Sequence, residues 1–372
     1  MILNRSRLFV MGMFSAALML TSCDEEPAPF VVPDTYDGNS FEVNAASELE
    51  LIDDVNALAS LMKTGRSGAT VAAADVEALY TPNLQAVTTT YYQDKIMGTE
   101  GWIANLAASS GNTFDPLNAT QGDGGVFGGY LFDENGLELQ QVFEKGLYMA
   151  ALYNQAAVVA SEPNATTADK LVALFGANPD FNNSDNGDLH DNPDVLMAKY
   201  VARRDQNDGN GFYTNMGEGF RALQAAYADE ETVYETEASA ALETIFTNWE
   251  AGNAATVINY LYSAIGKFSA TTPTDEDLGS ALHSYSESVG FLHGLRTVSS
   301  PYRIISDAQI DAVLALMNAP YDGTPTSYLL ITDAFNQVSK LETAVQSLAA
   351  VYGFSETELE SFKSNWISVQ GR

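Results

Sequence analysis

The chain has 372 residues and a formal net charge of −32, because 49 acidic residues outnumber 17 lysines and arginines. A surface of this sign repels nucleic acid and anionic lipid, which excludes a nucleic-acid-binding function. A hydrophobic content of 46% with 10% aromatic residues excludes a disordered chain and predicts a sizeable packed core.

Residues 1–22 are predicted to be a secretory signal peptide. Arg5 and Arg7 precede an apolar run over residues 8–20, which is too short to span a membrane and is followed by no stop-transfer pattern. The run leads through Leu-Thr-Ser to Cys23, which resembles the bacterial lipobox, where cleavage precedes a cysteine whose thiol carries diacylglycerol. Cys23 is the only cysteine, so no disulfide or cysteine-ligated metal site can form within one molecule.

Residues 23–43 are predicted to be an acidic, proline-containing tether. The three acids at positions 24–26 resemble the export tag that sends Bacteroidota lipoproteins through the outer membrane. The resemblance implies a lipid-anchored protein of the outer membrane that faces the cell surface, with a periplasm-facing anchor as the alternative.

Helical start signals recur along the rest of the chain. Capping boxes, in which a Ser or Thr and a polar side chain three residues later satisfy each other's backbone donors, begin at Ser47, Thr274, Ser306 and Ser355. Two-residue alternation over a strand length is rare. We therefore predict an all-α fold in two helical halves, residues 44–215 and 216–372. Long irregular loops at residues 111–136 and 176–194 interrupt the helices, and such loops are typical of functional or mobile segments.

A weak internal repeat relates the segment Leu139–Leu152 to the segment Leu282–Leu295. Aligned without a gap, the two share leucines at both ends, and Glu144 matches Glu287. A duplication would place one acidic helix at the centre of each half. Glu144 would then meet Glu287 only if the two halves face each other; chance similarity is the alternative.

The second repeat segment carries the strongest candidate site. On a helix, His283, Glu287, Gly290 and Gly294 share a face opposite the apolar stripe. Glycines four residues apart indicate close approach of another backbone or of a ligand. His283 and Glu287 could therefore form a buried structural pair, a metal or ligand site, or an ordinary solvated pair. His293 lies to one side of this face and is expected to pack or to cap the helix.

The loop before residue 194 offers a rival site. Asp180, Asn182, Asn186 and Asp188 supply oxygen atoms at a spacing that loosely resembles a calcium-binding loop. The bidentate Glu expected at the twelfth position is missing. A solvated polar loop is the alternative interpretation.

Three segments resemble a known family. Val32–Gly65, Phe132–Gln155 and Leu282–Arg296 are similar to the hallmark segments of the domain of unknown function 4856, a family of Bacteroidota lipoproteins that is distantly similar to the imelysin and iron-regulated-protein-A group. The resemblance implies an imelysin-like, all-helical fold of two bundle halves and an association with iron uptake. The group's Gly-x-His-x-x-Glu motif is matched incompletely, because three residues separate His283 from Glu287 and Ala281 replaces the glycine.

The sequence thus predicts a non-enzymatic surface lipoprotein that binds iron, another divalent metal or a metal-bearing ligand near His283, Glu287 and Glu144. The alternative is an interaction, scaffolding or glycan-binding protein that meets a partner, such as an outer-membrane protein, through aromatic residues in polar loops, namely Tyr130, Phe132, Phe181 and Phe212. A metallopeptidase ranks last, because a hydrolytic zinc site generally needs three protein ligands and the chain has three histidines and no His-Glu-x-x-His motif.

Overall fold

A computed structural model of the protein describes residues 29–229 and 232–372. The predicted signal peptide, residues 1–22, and Cys23 lie outside the described residues. Within them the all-α prediction is confirmed, since helices dominate and a single two-stranded sheet is present. No described helix combines the length and apolar character needed to cross a bilayer.

The helices of the first part of the chain are α1 Phe41–Asn44, α2 Ala46–Lys63, α3 Ala73–Tyr80, α4 Leu84–Val87, α5 Thr90–Met97, α6 Trp102–Ser109, α7 Leu139–Leu147, α8 Asn154–Val159, α9 Thr167–Phe175 and α10 Leu196–Ala202. Those of the second part are α11 Phe212–Ala226, α12 Glu235–Phe268, α13 Asp275–His293, α14 Asp307–Leu316, α15 Leu329–Thr332, α16 Ala334–Tyr352, α17 Glu356–Phe362 and α18 Trp366–Gln370. The antiparallel strands are β1 Gly125–Phe127 and β2 Tyr130–Phe132. A π-helical turn, Tyr148–Tyr153, joins α7 to α8.

Three of the four predicted capping boxes are confirmed. The side chains of Thr274, Ser306 and Ser355 each accept a hydrogen bond from the backbone three residues later, and the reciprocal bond is also formed. The prediction at Ser47 is wrong, because α2 begins at Ala46, so that Ser47 already lies inside the helix. Its hydroxyl donates to the Glu48 side chain instead. The short helix α1 ends just before α2, so the chain is already turning helically when it reaches Ser47.

The core runs through both predicted halves. Trp249 in α12 is fully buried and its ring lies 5.3 Å from that of Tyr153 and 5.0 Å from that of Phe175. The long helix α12 packs against α11, α13 and α16. The position at which the sequence divides the halves, between residues 215 and 216, falls within α11.

The described part of the predicted tether lies against the helices. Tyr36 donates a 2.6 Å hydrogen bond to the buried carboxylate of Asp169 in α9. The Gln224 side chain binds both the N–H and the carbonyl of Asp37. These contacts attach the segment that precedes α1 to α9 and α11.

The aromatic residues of the polar loops face inward. Phe132 is fully buried, Phe181 stacks on Phe220 with ring centroids 5.7 Å apart, and Phe212 packs near Phe354 at 6.0 Å. Tyr130 stacks on the His283 ring at 4.5 Å. These four rings fasten loops to the core, so they do not form an exposed aromatic surface.

The predicted close approach at the glycines of α13 is confirmed. A Cβ atom on Gly290 would lie 2.9 Å from the carbonyl oxygen of Gln141, and one on Gly294 would lie 2.2 Å from that of Gly146. Both contacts are with the backbone of α7. The helices that carry the two similar segments, α7 and α13, therefore pack directly against each other.

We expect Gly294→Ala to destabilise the protein by about 1–3 kcal/mol, because the added methyl group must push two helix backbones apart. Gly266→Ala is the matched control, since Gly266 lies in α12 with no atom within 4 Å of its would-be Cβ. That change should stabilise the protein by up to about 1 kcal/mol, as alanine generally does in a helix. Urea denaturation measures both; equal effects from the two substitutions would contradict the close approach.

Candidate functional site

Six ionisable side chains gather where α7, α13 and the turn after α2 meet. We call them the charged cluster; its members are Arg66, Glu138, Glu144, Lys145, His283 and Glu287. Glu138 precedes the first residue of α7, and its backbone N–H donates to the Ser286 hydroxyl of α13 at 2.9 Å. This bond between the two helices fixes the Glu138 carboxylate, which is fully buried, between Arg66 and His283.

His283 lies between two carboxylates. Its Nδ1 atom is 2.6 Å from Glu138 Oε2, and its Nε2 atom is 3.4 Å from Glu287 Oε2. Arg66 approaches the same carboxylate, with its Nε donating to Glu138 Oε1 at 2.8 Å and its Nη2 3.4 Å from His283 Nδ1. Burial is the main cause that raises the pKa of Glu287, although the charges of His283 and Lys145 oppose it.

Glu144 lies on α7 and is bound within its own helix. Its carboxylate accepts hydrogen bonds from Gln140, Lys145 and Tyr148. Burial would raise the pKa of Glu144, but Lys145, the Tyr148 hydroxyl and the charge of Lys63 together outweigh burial and hold it below its usual value. The helices of the two repeat segments do face each other, yet the carboxylate of Glu144 is directed to these three donors.

A divalent metal ion, which the family resemblance implies, does not fit the charged cluster. Both ring nitrogens of His283 already face carboxylates on opposite sides of the ring. The Arg66 guanidinium, next to Nδ1, would repel a cation there. Among the described residues, no three His, Cys, Asp or Glu side chains come together in a group that could hold a metal ion. The arrangement is that of a paired structural network.

The predicted calcium ligands lie in a loop that contains hydrogen bonds of its own. Asp180 and Asp188 are exposed, and the Asn186 side chain accepts a hydrogen bond from the Asp188 backbone. The loop is instead held from inside by Asp194, whose carboxylate accepts from the backbone N–H groups of Asn178 and Ser184, both at 3.0 Å. Asn182, the remaining predicted ligand, is half-buried.

A pocket of about 700 Å³ opens at the C-terminal end of α13. We call it the His293 pocket; its walls include Asp94, Lys95, Glu100, Trp102, Asp133, Asn135, His293, Tyr321 and Asp322. These residues come from α5, from the start of α6, from the loop before α7, from the end of α13 and from the loop at residues 319–325. Four carboxylates and one lysine make this wall acidic.

His293 contributes a neutral imidazole to the pocket. It is 6% exposed, its Nε2 lies 3.1 Å from the Tyr91 hydroxyl, and its ring packs 5.4 Å from that of Trp102. Burial, helped by the positive charges of Lys95 and Arg296, lowers the pKa of His293 to about 3. The Nδ1 atom is buried and has no hydrogen-bond partner among the described residues.

Asn135 contributes a second unpartnered atom. The loop around it is closed by Asp133, whose Oδ1 accepts from the backbone N–H groups of Asn135 and Leu137 at 2.9 and 2.8 Å. Burial raises the pKa of Asp133 to about 6. Asn135 is 8% exposed, and its Oδ1 has no partner in the described chain. Two buried polar atoms of one pocket thus lack protein partners, and such atoms call for an explanation, for example a water or a ligand.

Sequence reasoning missed this pocket, since its residues come from segments up to about two hundred positions apart. The Asp-Glu-Asn-Gly segment at residues 133–136 and the Pro-Tyr-Asp-Gly segment at residues 320–323 are compact turn signals, but nothing in the sequence joins them. The sequence predicts a packing or capping role for His293, and its ring does contact the rings of Tyr92 and Trp102. No family model, curated protein or solved structure matches the chain.

Removing the carboxylate of Glu138 should destabilise the fold by about 3 kcal/mol, because Glu138→Ala leaves Arg66 and His283 without their shared partner. Glu134→Ala is the matched control, four residues away and exposed, and should change the free energy of unfolding by less than about 0.5 kcal/mol. Thermal and urea denaturation measure the difference. Equal stability of the two variants would show that the buried pairs of Glu138 contribute nothing to the free energy of unfolding.

Proposed function

We propose that the chain is a non-enzymatic, lipid-anchored binding protein of the outer membrane, facing the cell surface, and that its ligand is a small polar organic molecule bound in the His293 pocket. One observation carries the proposal: His293 Nδ1 and Asn135 Oδ1 are both buried in the wall of one pocket without a protein partner. A ligand that supplies the missing hydrogen bonds would offset the cost of leaving them unmade.

The wall indicates the chemistry of the ligand. An amide oxygen only accepts hydrogen bonds, so Asn135 Oδ1 requires a donor from the ligand. The carboxylates of Asp94, Glu100 and Asp322 favour a neutral or cationic molecule. Trp102 offers an aromatic ring for an apolar part of the same molecule. A primary amine or a polyhydroxylated compound meets these requirements, and a bare metal ion does not use the aromatic wall.

Asn135→Leu tests this assignment, because it keeps the branched shape and the number of heavy atoms of the side chain and removes the acceptor. Wild-type and variant protein are titrated in a calorimeter with a panel of small amines and sugars. We expect at least one class to bind the wild type and to bind Asn135→Leu about 10-fold or more weakly, since a lost buried hydrogen bond costs about 1–3 kcal/mol. Asn118→Leu, at an exposed position outside the pocket, should bind like the wild type.

Absence of binding by every member of the panel, or equal binding by both variants, would contradict the proposal. Metal analysis provides a separate check. If the wild type contains stoichiometric iron or zinc and both His283→Ala and Glu287→Ala lack it, the charged cluster is a metal site. Zinc-dependent peptide hydrolysis abolished by Glu287→Gln would instead favour an enzyme.

The anchor depends on Cys23 and is tested independently. Cys23→Ser should leave the protein unlipidated and release it from the membrane fraction, because each buried acyl methylene contributes about 0.8 kcal/mol to membrane binding. The acidic body adds no attraction to anionic lipid. Mass spectrometry of the mature N-terminus and fractionation measure the outcome. A variant that stays membrane-bound after washing would show that the anchor lies elsewhere.

A further inference from the structure

A second, smaller pocket lies on another part of the fold, between the end of α10, the middle of α12 and the segment that joins α17 to α18. Its volume is about 270 Å³. We call it the Arg204 pocket; its wall carries Arg203, Arg204 and Lys363 together with hydroxyl and amide side chains, and no carboxylate. Three cations in one wall are unusual in a chain with 49 acids and 17 basic residues.

Two of these cations have their own carboxylate partners. Arg203 donates through Nε to Asp185 Oδ2 at 2.9 Å, and Lys363 pairs with Glu360. Both partners lie outside the pocket wall. Their positive charges are therefore largely balanced before any ligand is considered.

Arg204 has no such partner. It is 7% exposed, and among the described residues its guanidinium makes one hydrogen bond, from Nη1 to the Phe362 carbonyl at 2.6 Å. The same carbonyl also accepts from Asn259 at 2.7 Å, so it is shared. The Nε atom of Arg204 is buried and unpartnered. Burial and the like charge of Arg203 lower the pKa of Arg204 to about 10, although Tyr260 opposes the shift.

A buried guanidinium without a counterion is unfavourable, because desolvation removes its hydration and no carboxylate replaces it. The chain supplies a carboxylate to several other arginines. Arg66 binds Glu138, and Arg296 binds Asp307 and Asp311. Arg372, like Arg204, binds only backbone carbonyls, but it is more exposed. Arg204 is the most buried arginine of the described residues, and it lies in the wall of a pocket that is open to small molecules. The missing counterion is therefore expected to come from outside the chain.

We infer that the Arg204 pocket binds a phosphate group, either inorganic phosphate or the phosphate of a small monoester, with Arg204 as the principal counterion. The planar guanidinium matches the geometry of a tetrahedral oxyanion. Asn259, Ser263 and Asn365 add polar groups to the same wall. The volume of about 270 Å³ admits a phosphate with a short substituent.

The overall negative charge of the protein does not prevent phosphate from binding in the Arg204 pocket. Electrostatic interactions between exposed charges are screened within about 8 Å at physiological salt, whereas a partly buried cation is screened much less. The local wall therefore decides the sign of the bound ion. This site is independent of the His293 pocket and of the function proposed for it.

The test measures binding of inorganic phosphate to the purified full-length protein at constant ionic strength, with chloride as the reference ion. We expect saturable binding and a rise in the melting temperature of the wild type. Arg204→Met keeps much of the side-chain length and removes the charge, and it should bind phosphate at least 10-fold more weakly. Without phosphate this variant should be as stable as the wild type or more stable, because it relieves a buried unpaired charge.

Arg204→Lys keeps the charge but loses the planar guanidinium, so it should fold and bind with intermediate affinity even if Arg204→Met does not fold. Lys170→Met is the control for removing one positive charge outside the pocket, and it should bind phosphate like the wild type. A parallel titration with glycerol 3-phosphate distinguishes a phosphate monoester from inorganic phosphate as the ligand. Tighter binding of glycerol 3-phosphate than of inorganic phosphate indicates a monoester, and weaker binding indicates the free ion.

Three results would overturn the inference. The first is the absence of saturable phosphate binding by the wild type. The second is an equal effect of chloride, which would show general screening. The third is a combination of two measurements. The wild type and Arg204→Lys would bind phosphate with equal affinity, and Arg204→Met without phosphate would melt far below the wild type. Both would indicate that the hydrogen bonds and charge of Arg204 are satisfied within the protein.

Discussion

The backbone contact between α7 and α13 is the constraint on which the centre of the structure depends. Gly290 and Gly294 leave so little space that α7 and α13 touch through main-chain atoms. Polar side chains along this interface lose their water and must pair with one another, since an unpaired buried charge is costly. The bonds from Glu138 to Ser286, Arg66 and His283 meet this requirement. The close packing of α7 and α13 therefore requires these buried side chains to be paired.

The two histidines of α13 show how one helix creates two different environments. His283 lies between the carboxylates of Glu138 and Glu287 and forms part of a hydrogen-bonded network. His293, ten residues later, lies among aromatic rings with Lys95 and Arg296 nearby, which favour a neutral ring. A single rigid helix thus carries a charged network at its middle and an uncharged hydrogen-bonding group at its end, and the second of these faces a pocket.

Local signals predicted local features well. Three capping boxes and the close approach at Gly290 and Gly294 follow from residues within a few positions of one another. The partners of His283 did not follow, because Glu138 and Arg66 are 145 and 217 positions away and no motif links them. A histidine and a glutamate four residues apart fit a metal site and a paired network equally well. Only the distant third partner, an arginine, distinguishes the two.

The unpartnered atoms of the His293 and Arg204 pockets have opposite chemistry. Asn135 Oδ1 can only accept a hydrogen bond, whereas Arg204 Nε can only donate one. The first lies in an acidic wall and the second in a basic wall. One ligand group cannot satisfy both requirements, because a group that donates to Asn135 among carboxylates is neutral or cationic and a group that neutralises Arg204 is anionic. The two pockets are therefore separable: a substitution that removes Arg204 alters the counterion of one pocket and leaves the acceptors of the other in place.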